Sequence, residues 1–424
     1  MRLNFHNISD TNYFLVLGTL LSALFFSDLF AQEYSADQLK VHPTNSRWLQ
    51  YSSGKPFFLA APGDPENFLY RGSLRSDGTR DGDQLQLIDK LKNTGANGIY
   101  LQAIRSHGGD GDFAHNPFID HSPSKGLNHN ILKQWDEWFS EMDANDIVIY
   151  FFFYDDSAII WNTGHNVGLE ERAFFEELVN RFEKYDNLIW VVAEEYGERY
   201  SPERISKLAE IIRQTDDFNH AIAVHKNHGL SFSDFKNDDN LDQFAMQYNT
   251  TNISELHNGV LQAWKKAEGC YNINMTEAAE WGKGADARKK AWAVAMAGAY
   301  VMVLGMDIAN TAIADLEDLG RLRKFMEASD YYAKEPYDEL GFAGTDYVLA
   351  DPGDSYILYS ANRGRRSLGL KAVEKADYRL RWLDIASGDT IILESVHVDS
   401  ENILWKPPEK FGKEVALHIK RLYD

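Results

Sequence analysis

Residues 187–196 read NLIWVVAEEY, a continuous apolar run that ends in two glutamates and a tyrosine. A strand without polar–apolar alternation is typical of a parallel sheet that is covered on both faces. Similar runs recur along the chain, and amphipathic segments separate them. Strands are therefore predicted at 56–61, 97–103, 146–153, 187–193, 220–225, 241–247, 271–275 and 299–305.

The segments between these strands have the pattern of helices, and several begin with capping residues. Asp81 precedes the first helix, and Ser201-Pro202-Glu203 places proline and an acid in the opening turn of the fourth. Eight strands alternating with helices favour a (β/α)8 TIM barrel, with an open doubly wound sheet as the alternative. Helices are predicted at 82–94, 128–144, 170–185, 202–216, 253–268, 284–298 and 315–328, whereas 226–240 is polar and has room for only a short helix.

The two ends of the chain differ from this central part. Residues 1–31 are predicted to be a signal peptide, because the apolar run 13–26 is shorter than the about 20 residues of a membrane span; an uncleaved anchor is the alternative. We therefore expect a bacterial periplasmic or secreted protein without membrane insertion after signal cleavage. The catalytic barrel is predicted over 40–332, and strand alternation with intervening turns predicts a small antiparallel β-sandwich domain over 335–424.

The composition excludes several classes of function. With 43 Lys and Arg against 64 Asp and Glu, the net charge is −21, which argues against nucleic acid or anionic membranes as partners. One cysteine excludes an intrachain disulfide and a thiolate-clustered metal site. The Gly-rich segment around Asp110 and Asp112 matches neither a complete calcium loop nor HExxH, and no G-x-S-x-G elbow occurs. We predict no metal and no cofactor.

Polar residues collect where the predicted strands end, which in a TIM barrel is the catalytic face. Exposed loops are polar in any fold, so a single such residue carries little weight. Glu195 and Glu277 stand out because each follows an apolar strand, and glycosidic cleavage needs two carboxyl groups, one as acid and one as nucleophile or base. For the neighbouring Glu194, a structural hydrogen-bond acceptor is the simpler interpretation. The predicted substrate-binding residues are Asp64, Arg105, His107, Asp155, Glu194, His225, Gln247, Tyr248 and Trp281.

Aromatic and basic residues near these positions suggest what the substrate looks like. Flat rings stack on the C–H faces of sugars, and the candidate rings are Trp161, Tyr196, Tyr248 and Trp281. A basic cluster that would suit a carboxylate or sulfate on the sugar comprises Arg71, Arg75, Arg80, Arg105 and His107. Ordinary ion pairing of this cluster with Asp64, Asp77, Asp81 and Asp83 is the alternative.

Three of the stretches resemble a known family. GKPFFLAAPGD (54–64), NLIWVVAEEY (187–196) and NINMTEAAEW (272–281) are similar to the apiosidase-like glycoside hydrolases, which have clan A (β/α)8 barrels. YSANRGRRSLGL followed by RLRWLDIASGDT resembles the C-terminal β-domain of these proteins, which is commonly labelled collagen-binding. The resemblance implies that Glu195 is the acid/base and Glu277 the nucleophile. The chain differs at Glu194, where clan A enzymes usually have Asn, and at Glu195, where apiosidase-like members often have Asp.

The sequence thus predicts an exported glycoside hydrolase that acts on a plant or algal cell-wall polysaccharide or oligosaccharide. Retention of configuration is favoured, and the basic cluster suggests a substrate with acidic groups. One alternative is a polysaccharide lyase that uses a His or Tyr base on a uronate-containing glycan. The other is a non-catalytic carbohydrate-binding protein built on a degenerate barrel.

Overall fold

Eight parallel strands form the largest sheet of the computed structural model, which describes residues 37–63, 67–277, 282–303, 305–364 and 366–423. Their order is β3-β10-β9-β8-β7-β6-β5-β4, and β4 returns beside β3, where the Asn97 N–H donates to the Ala60 carbonyl at 3.2 Å. The predicted TIM barrel is confirmed. Its strands are β3 (Ala60–Pro62), β4 (Gly98–Ile104), β5 (Val148–Tyr154), β6 (Leu188–Val191), β7 (Ala221–Lys226), β8 (Gln243–Gln247), β9 (Asn272–Glu277) and β10 (Tyr300–Val303).

Helices connect the strands except between β7 and β8, where the described chain has only the short 3-10 turn Ser233–Phe235. The fourth helix begins as predicted, since the Ser201 side chain accepts from the Arg204 N–H and Pro202 occupies the first turn. The prediction for Asp81 was wrong: the first helix begins at Gln84, and Asp81 accepts from the Ser73 N–H instead. The helices are α1 (Gln84–Thr94), α2 (His129–Asp143), α3 (Leu169–Phe182), α4 (Pro202–Thr215), α5 (Ile253–Ala267), α6 (Gly284–Met296) and α7 (Ile313–Glu327).

The strands are buried because one face points into the barrel and the other packs under the helices. All seven residues of β5 are buried, and Phe151 packs on its outer face against Trp135 and Phe182. A short hairpin that the sequence did not predict, β1 (Leu39–Val41) with β2 (Leu49–Tyr51), is tied to the barrel by the Tyr300 hydroxyl, which lies 2.6 Å from the Leu49 N–H. No helix within the described ranges is long and apolar enough to cross a membrane.

The C-terminal part is an antiparallel β-sandwich, as predicted. A six-stranded sheet has the order β11-β13-β14-β19-β16-β17, and a three-stranded sheet has the order β12-β15-β18. Residues such as Leu380, Trp382 and Leu417 fill the core between the two sheets. The strands are β11 (Glu335–Pro336), β12 (Gly341–Ala343), β13 (Tyr347–Asp351), β14 (Ser355–Ser360), β15 (Leu368–Leu370), β16 (Ala376–Asp384), β17 (Thr390–Val398), β18 (Ile403–Trp405) and β19 (Val415–Arg421).

The outer face of the six-stranded sheet packs on the barrel, so both parts belong to one compact unit, Gln38–Asp424. Tyr359 stacks on Trp292 of α6 with a centroid distance of 5.3 Å. Arg288 of α6 binds Glu414 through two hydrogen bonds of 3.1 and 2.8 Å and also contacts Asp318 of α7 at 2.8 Å. The predicted domain boundaries at 332 and 335 stay predictions.

Candidate active site

Glu195 and Glu277 lie at the C-terminal ends of the fourth and seventh barrel strands, and one amide group connects them. Glu195 follows β6 in a left-handed backbone conformation (φ 39°, ψ 45°), which is uncommon for a residue other than glycine. Glu277 is the last residue of β9. The Gln247 side chain, at the end of β8, donates to Glu277 Oε1 at 2.5 Å and also hydrogen-bonds with the Glu195 carboxyl group. The sequence prediction that these glutamates share the barrel mouth agrees with this geometry.

The two carboxyl groups differ in how tightly they hold a proton. Burial, the negative charge of Glu277 and a hydrogen bond to Glu198 raise the pKa of Glu195 to about 8, against the opposing effect of Gln247. Burial also raises the pKa of Glu277, and the hydrogen bond from Gln247 lowers it. Because the charge on Glu277 helps to keep Glu195 protonated, Glu277 is the group that ionises first. The pair therefore favours a protonated Glu195 beside an ionised Glu277.

His225 lies behind the two glutamates and contacts both. Its side chain is fully buried, and burial lowers its pKa to about 3, so the ring is neutral. Nδ1 accepts the Glu195 backbone N–H at 3.3 Å, which leaves the ring proton on Nε2, 3.8 Å from Glu277 Oε2. The predicted contact of His225 with substrate stays a prediction, and in this structure the ring has no exposed surface and contacts the two glutamates.

The tautomer of His225 also affects whether this site can bind a metal ion. Glu194, His225 and Glu277 present potential ligand atoms within 4.8 Å of one another. A histidine ligand must offer a bare nitrogen to the metal and donates its other N–H elsewhere. Here Nδ1 already faces a donor, so the nitrogen that faces the carboxylates carries hydrogen. The three residues fit a metal ion poorly.

Glu194, the neighbour of Glu195, belongs to a second carboxyl pair. The Gln102 amide donates to Asp155 Oδ1 at 2.7 Å and also to Glu194 Oε2. Burial and the charge of Asp155 raise the pKa of Glu194 well above its ordinary range. Arg105, which is also buried, lies 3.6 Å from Asp155 Oδ1 and opposes the effect of burial on the pKa of that aspartate. Two carboxyl groups this close in a buried site hold one proton between them, and it resides on Glu194.

The other predicted substrate contacts stay predictions, and two of them are not described. His107 is exposed in a loop with a left-handed backbone (φ 63°). The Tyr248 ring packs against Gly259 of α5, where a Cβ would come within 2.5 Å of a ring carbon. Asp64 and Trp281 lie outside the described residues.

Two of the four aromatic rings predicted to stack on sugar, Tyr196 and Trp161, differ in their exposure. Tyr196 is buried, and its hydroxyl donates to Asp234 at 2.7 Å, so its ring is part of the core. Trp161 remains partly exposed at the edge of the barrel mouth, where its ring N–H donates to Glu170 at 3.1 Å. Trp161 is therefore the better candidate for stacking on a sugar.

The basic cluster is largely occupied by the protein itself. Arg71 forms a two-pronged ion pair with Asp83, at 2.6 and 2.8 Å. Arg80 is buried and donates to the Ala114 carbonyl at 3.1 Å. Both arginines line an open cleft of about 880 Å³ beside the barrel mouth. Partners within the chain already bind these side chains, and the ion-pairing alternative describes Arg71, whose partner is the predicted Asp83.

Sequence reasoning missed three residues that shape the site. Gln102 and Tyr100 lie inside β4, and both hydrogen-bond with Glu194. Glu198, in the turn after Glu195, accepts a hydrogen bond from the Glu195 carboxyl group. A detectable signal existed only for Gln102, the one amide in the otherwise apolar strand GIYLQAI.

A barrel with a protonated and an ionised glutamate at the ends of strands four and seven has the constellation of a glycoside hydrolase. Residues 43–308 match the family model described as apiosidase-like, catalytic domain, and the chain belongs to this family. It is therefore a glycoside hydrolase by class.

Solved structures agree on the fold. A glycoside hydrolase family 5 protein from Bacteroides vulgatus superposes with a TM-score of 0.65 at 15% identity, over 91% of this chain and 93% of that one. Another structure, described as a glycoside hydrolase, has a TM-score of 0.64 at 15% identity and covers 92% of this chain and 98% of its own. No curated protein matches the sequence.

Proposed function

We propose that the protein hydrolyses a glycosidic bond in a cell-wall polysaccharide or oligosaccharide with retention of configuration. The observation that carries this proposal is the pair of glutamates joined by Gln247, one protonated and the other ionised. Glu277 attacks the anomeric carbon, and the bond to the leaving oxygen breaks as Glu195 gives that oxygen its proton. Glu195, now a carboxylate, takes a proton from water, whose oxygen displaces Glu277 from the sugar.

The bridging amide supports retention over inversion. Gln247 Nε2 lies 2.5 Å from Glu277 Oε1, and the same side chain lowers the pKa of Glu195 through a hydrogen bond, so the two carboxyl groups are near neighbours. Carboxyl groups of retaining enzymes lie about 5–5.5 Å apart, whereas inverting enzymes need about 6.5–9.5 Å to admit a water molecule between acid and base. The arrangement around Gln247 thus favours a covalent intermediate on Glu277.

For the substrate, we propose a plant or algal cell-wall glycan, on the strength of the apiosidase-like family and the open polar cleft beside the site. Acidic groups on this glycan are less strongly supported than the sequence suggested, because Arg71 and Arg105 already face carboxylates. Export through the segment 1–31, to the periplasm or the medium, is part of the same proposal. Reducing-end release from neutral, uronate-containing and sulfated polysaccharides identifies the substrate.

Adjacent glutamates provide a matched test of the mechanism. Glu195→Gln removes the proton donor and should lower kcat by about 10²- to 10⁴-fold on substrates with poor leaving groups. Glu194→Gln keeps the shape and hydrogen bonds of a neutral acid, so kcat should stay within about tenfold. Equal losses in the two variants would contradict the assignment of the acid.

The nucleophile is tested separately. Glu277→Ala should abolish turnover, and azide should restore it with formation of a glycosyl azide of inverted configuration. Near-normal turnover of this variant would refute the proposal. An unsaturated product that absorbs ultraviolet light would show a lyase reaction instead.

A further inference from the structure

A second cleft, of about 380 Å³, lies far from the two glutamates. It opens where the outer face of the six-stranded sheet passes the C-terminal end of α7. Because α7 follows β10 and runs back antiparallel to it, this is the end of the barrel opposite the catalytic face. The cleft is lined by Ala328, Asp330, Arg379, Arg381, Ile392, His418 and Lys420.

Strand register explains why basic residues meet there. In the antiparallel pair β16 and β19, Arg381 lies opposite His418 and Arg379 lies opposite Lys420. Side chains alternate along a strand, so these four share one face, while Leu380 points to the sandwich core. Nearer the other end of the strands the same face is apolar and packs on the barrel. The cleft is the part of this face that extends beyond that contact.

Like charges on neighbouring strands repel, and the chain neutralises only some of them. Lys420 contacts Asp354 at 2.6 Å and Asp330 at 3.4 Å. Arg379 pairs with Glu394 at 2.9 Å in an exposed position, where such a pair is weak. Arg381 donates to the Ala328 carbonyl at 3.3 Å, and among the described residues no carboxylate lies within 4 Å of it.

His418 is the buried residue among these four, and burial together with the positive charges around it lowers its pKa. His418 is only 8% exposed and bonds to the Ser355 hydroxyl at 3.1 Å. Its pKa is held well below the usual range, by burial first and then by four cations, Lys334, Arg381, Lys420 and Arg379. A protein with a net charge of −21 therefore maintains a local positive field at this cleft.

We propose that this cleft is an oxyanion-binding site, with Arg381 as the principal ligand and Lys420 and Arg379 as its flanking cations. A guanidinium group offers parallel N–H donors that match a carboxylate, sulfate or phosphate. Such a group comes either from a free inorganic anion or from an acidic sugar, whose ring would lie against Ile392. The site is independent of the proposed hydrolysis, because it shares no residue with the catalytic pair.

Calorimetric titration of the intact protein tests the site with three probes: inorganic phosphate, digalacturonate and a neutral disaccharide. We expect phosphate or digalacturonate to bind, with an affinity that falls as salt rises. Arg381→Gln should weaken binding at least tenfold, whereas Lys406→Gln, at an exposed lysine of the same domain, should leave it within twofold. Tighter binding of digalacturonate than of phosphate identifies an acidic glycan as the source, and the reverse order identifies a free anion.

Three results would overturn the proposal. These are no binding of either anion to the wild type, equal affinity in the wild type and Arg381→Gln, or equal loss in Arg381→Gln and Lys406→Gln. Arg381 is partly exposed and lies outside the catalytic site, so its variant should keep the wild-type melting temperature and hydrolytic rate. Because the readout is binding, failure of the proposed hydrolysis would leave this test unaffected.

Discussion

Replacing Glu195 by Gln should make the protein more stable at alkaline pH while it removes the proposed catalytic acid. The pKa of Glu195 is about 8 in the folded chain, against an ordinary value of 4.5. The folded state therefore binds this proton more tightly than the unfolded state, and wild-type stability falls as pH rises from 4.5 to 8. Below 4.5 both states carry the proton, so Glu195 costs nothing there. Glutamine has no proton to lose and avoids the cost at every pH.

The size of the effect follows from the same two values. Each pH unit of difference between folded and unfolded pKa corresponds to about 1.4 kcal/mol, so the ceiling above pH 8 is about 5 kcal/mol. Glu195 is only partly buried, and solvent screens its charge. We therefore expect Glu195→Gln to gain about 1–2 kcal/mol at pH 9 and only a few tenths at pH 5.

Urea unfolding followed by tryptophan fluorescence at pH 5, 7 and 9 measures the effect, with catalytic rate recorded on the same samples. Glu137→Gln, at an exposed position on α2, is the control and should shift the unfolding midpoint equally at all three pH values. A Glu195→Gln variant whose stability relative to wild type does not rise between pH 5 and pH 9 would refute the reasoning. The protonated state of Glu195, and with it the proposed acid, would then have to be abandoned.

Three further substitutions test other parts of the structure. Gln247→Leu removes hydrogen bonds that lower the pKa of Glu195 and Glu277, so, if the proposed roles hold, both limbs of the pH profile of kcat/KM should move up by roughly one unit. Arg288→Ala leaves the buried Glu414 without its ion-pair partner between barrel and sandwich, while Asp318 keeps Arg321, and should cost about 3 kcal/mol in urea unfolding. Gly320→Ala should lower the melting temperature despite alanine's higher helix propensity, because its Cβ would lie 2.2 Å from the Thr94 carbonyl oxygen.

The barrel could be predicted from sequence because its strands are apolar on both faces, a pattern that few folds besides a helix-covered parallel sheet produce. Seven of the eight barrel strands agree with their predicted ranges within two residues at each end, whereas β3 (Ala60–Pro62) begins four residues later than predicted; the polar segment 226–240 lacks a long helix as expected. The β1–β2 hairpin was missed because LKV and LQY are three-residue strands, too short to show a period. Its position depends on a contact with Tyr300, distant in sequence, which no local pattern records.

The active site was only partly predictable. Glu195 and Glu277 are conspicuous because a charge directly follows an apolar run, and this visible discontinuity is a local property. The role of His225 is not local, since its tautomer is set by the backbone N–H of Glu195 on the neighbouring strand. The proton on Glu194 likewise depends on Asp155, which comes from a third strand. The sequence shows which residue types occupy the site, but their protonation states depend on neighbouring residues that come from other strands.

The tandem glutamates show why those neighbours matter for function. Glu194 holds a proton because of burial and the charge of Asp155, and Glu195 holds one because of burial and the charge of Glu277, so two adjacent residues of one type are both neutral for different reasons. If Glu194 were ionised, a second buried charge would lie beside Glu277 and would oppose ionisation of the nucleophile. The proton on Glu194 therefore avoids a second negative charge beside Glu277, and the charge of Glu277 helps Glu195 to keep its own proton. Glu194 shares the donor Gln102 with Asp155, whereas Glu195 shares Gln247 with Glu277, the proposed nucleophile, and that difference separates the proposed acid from its neighbour.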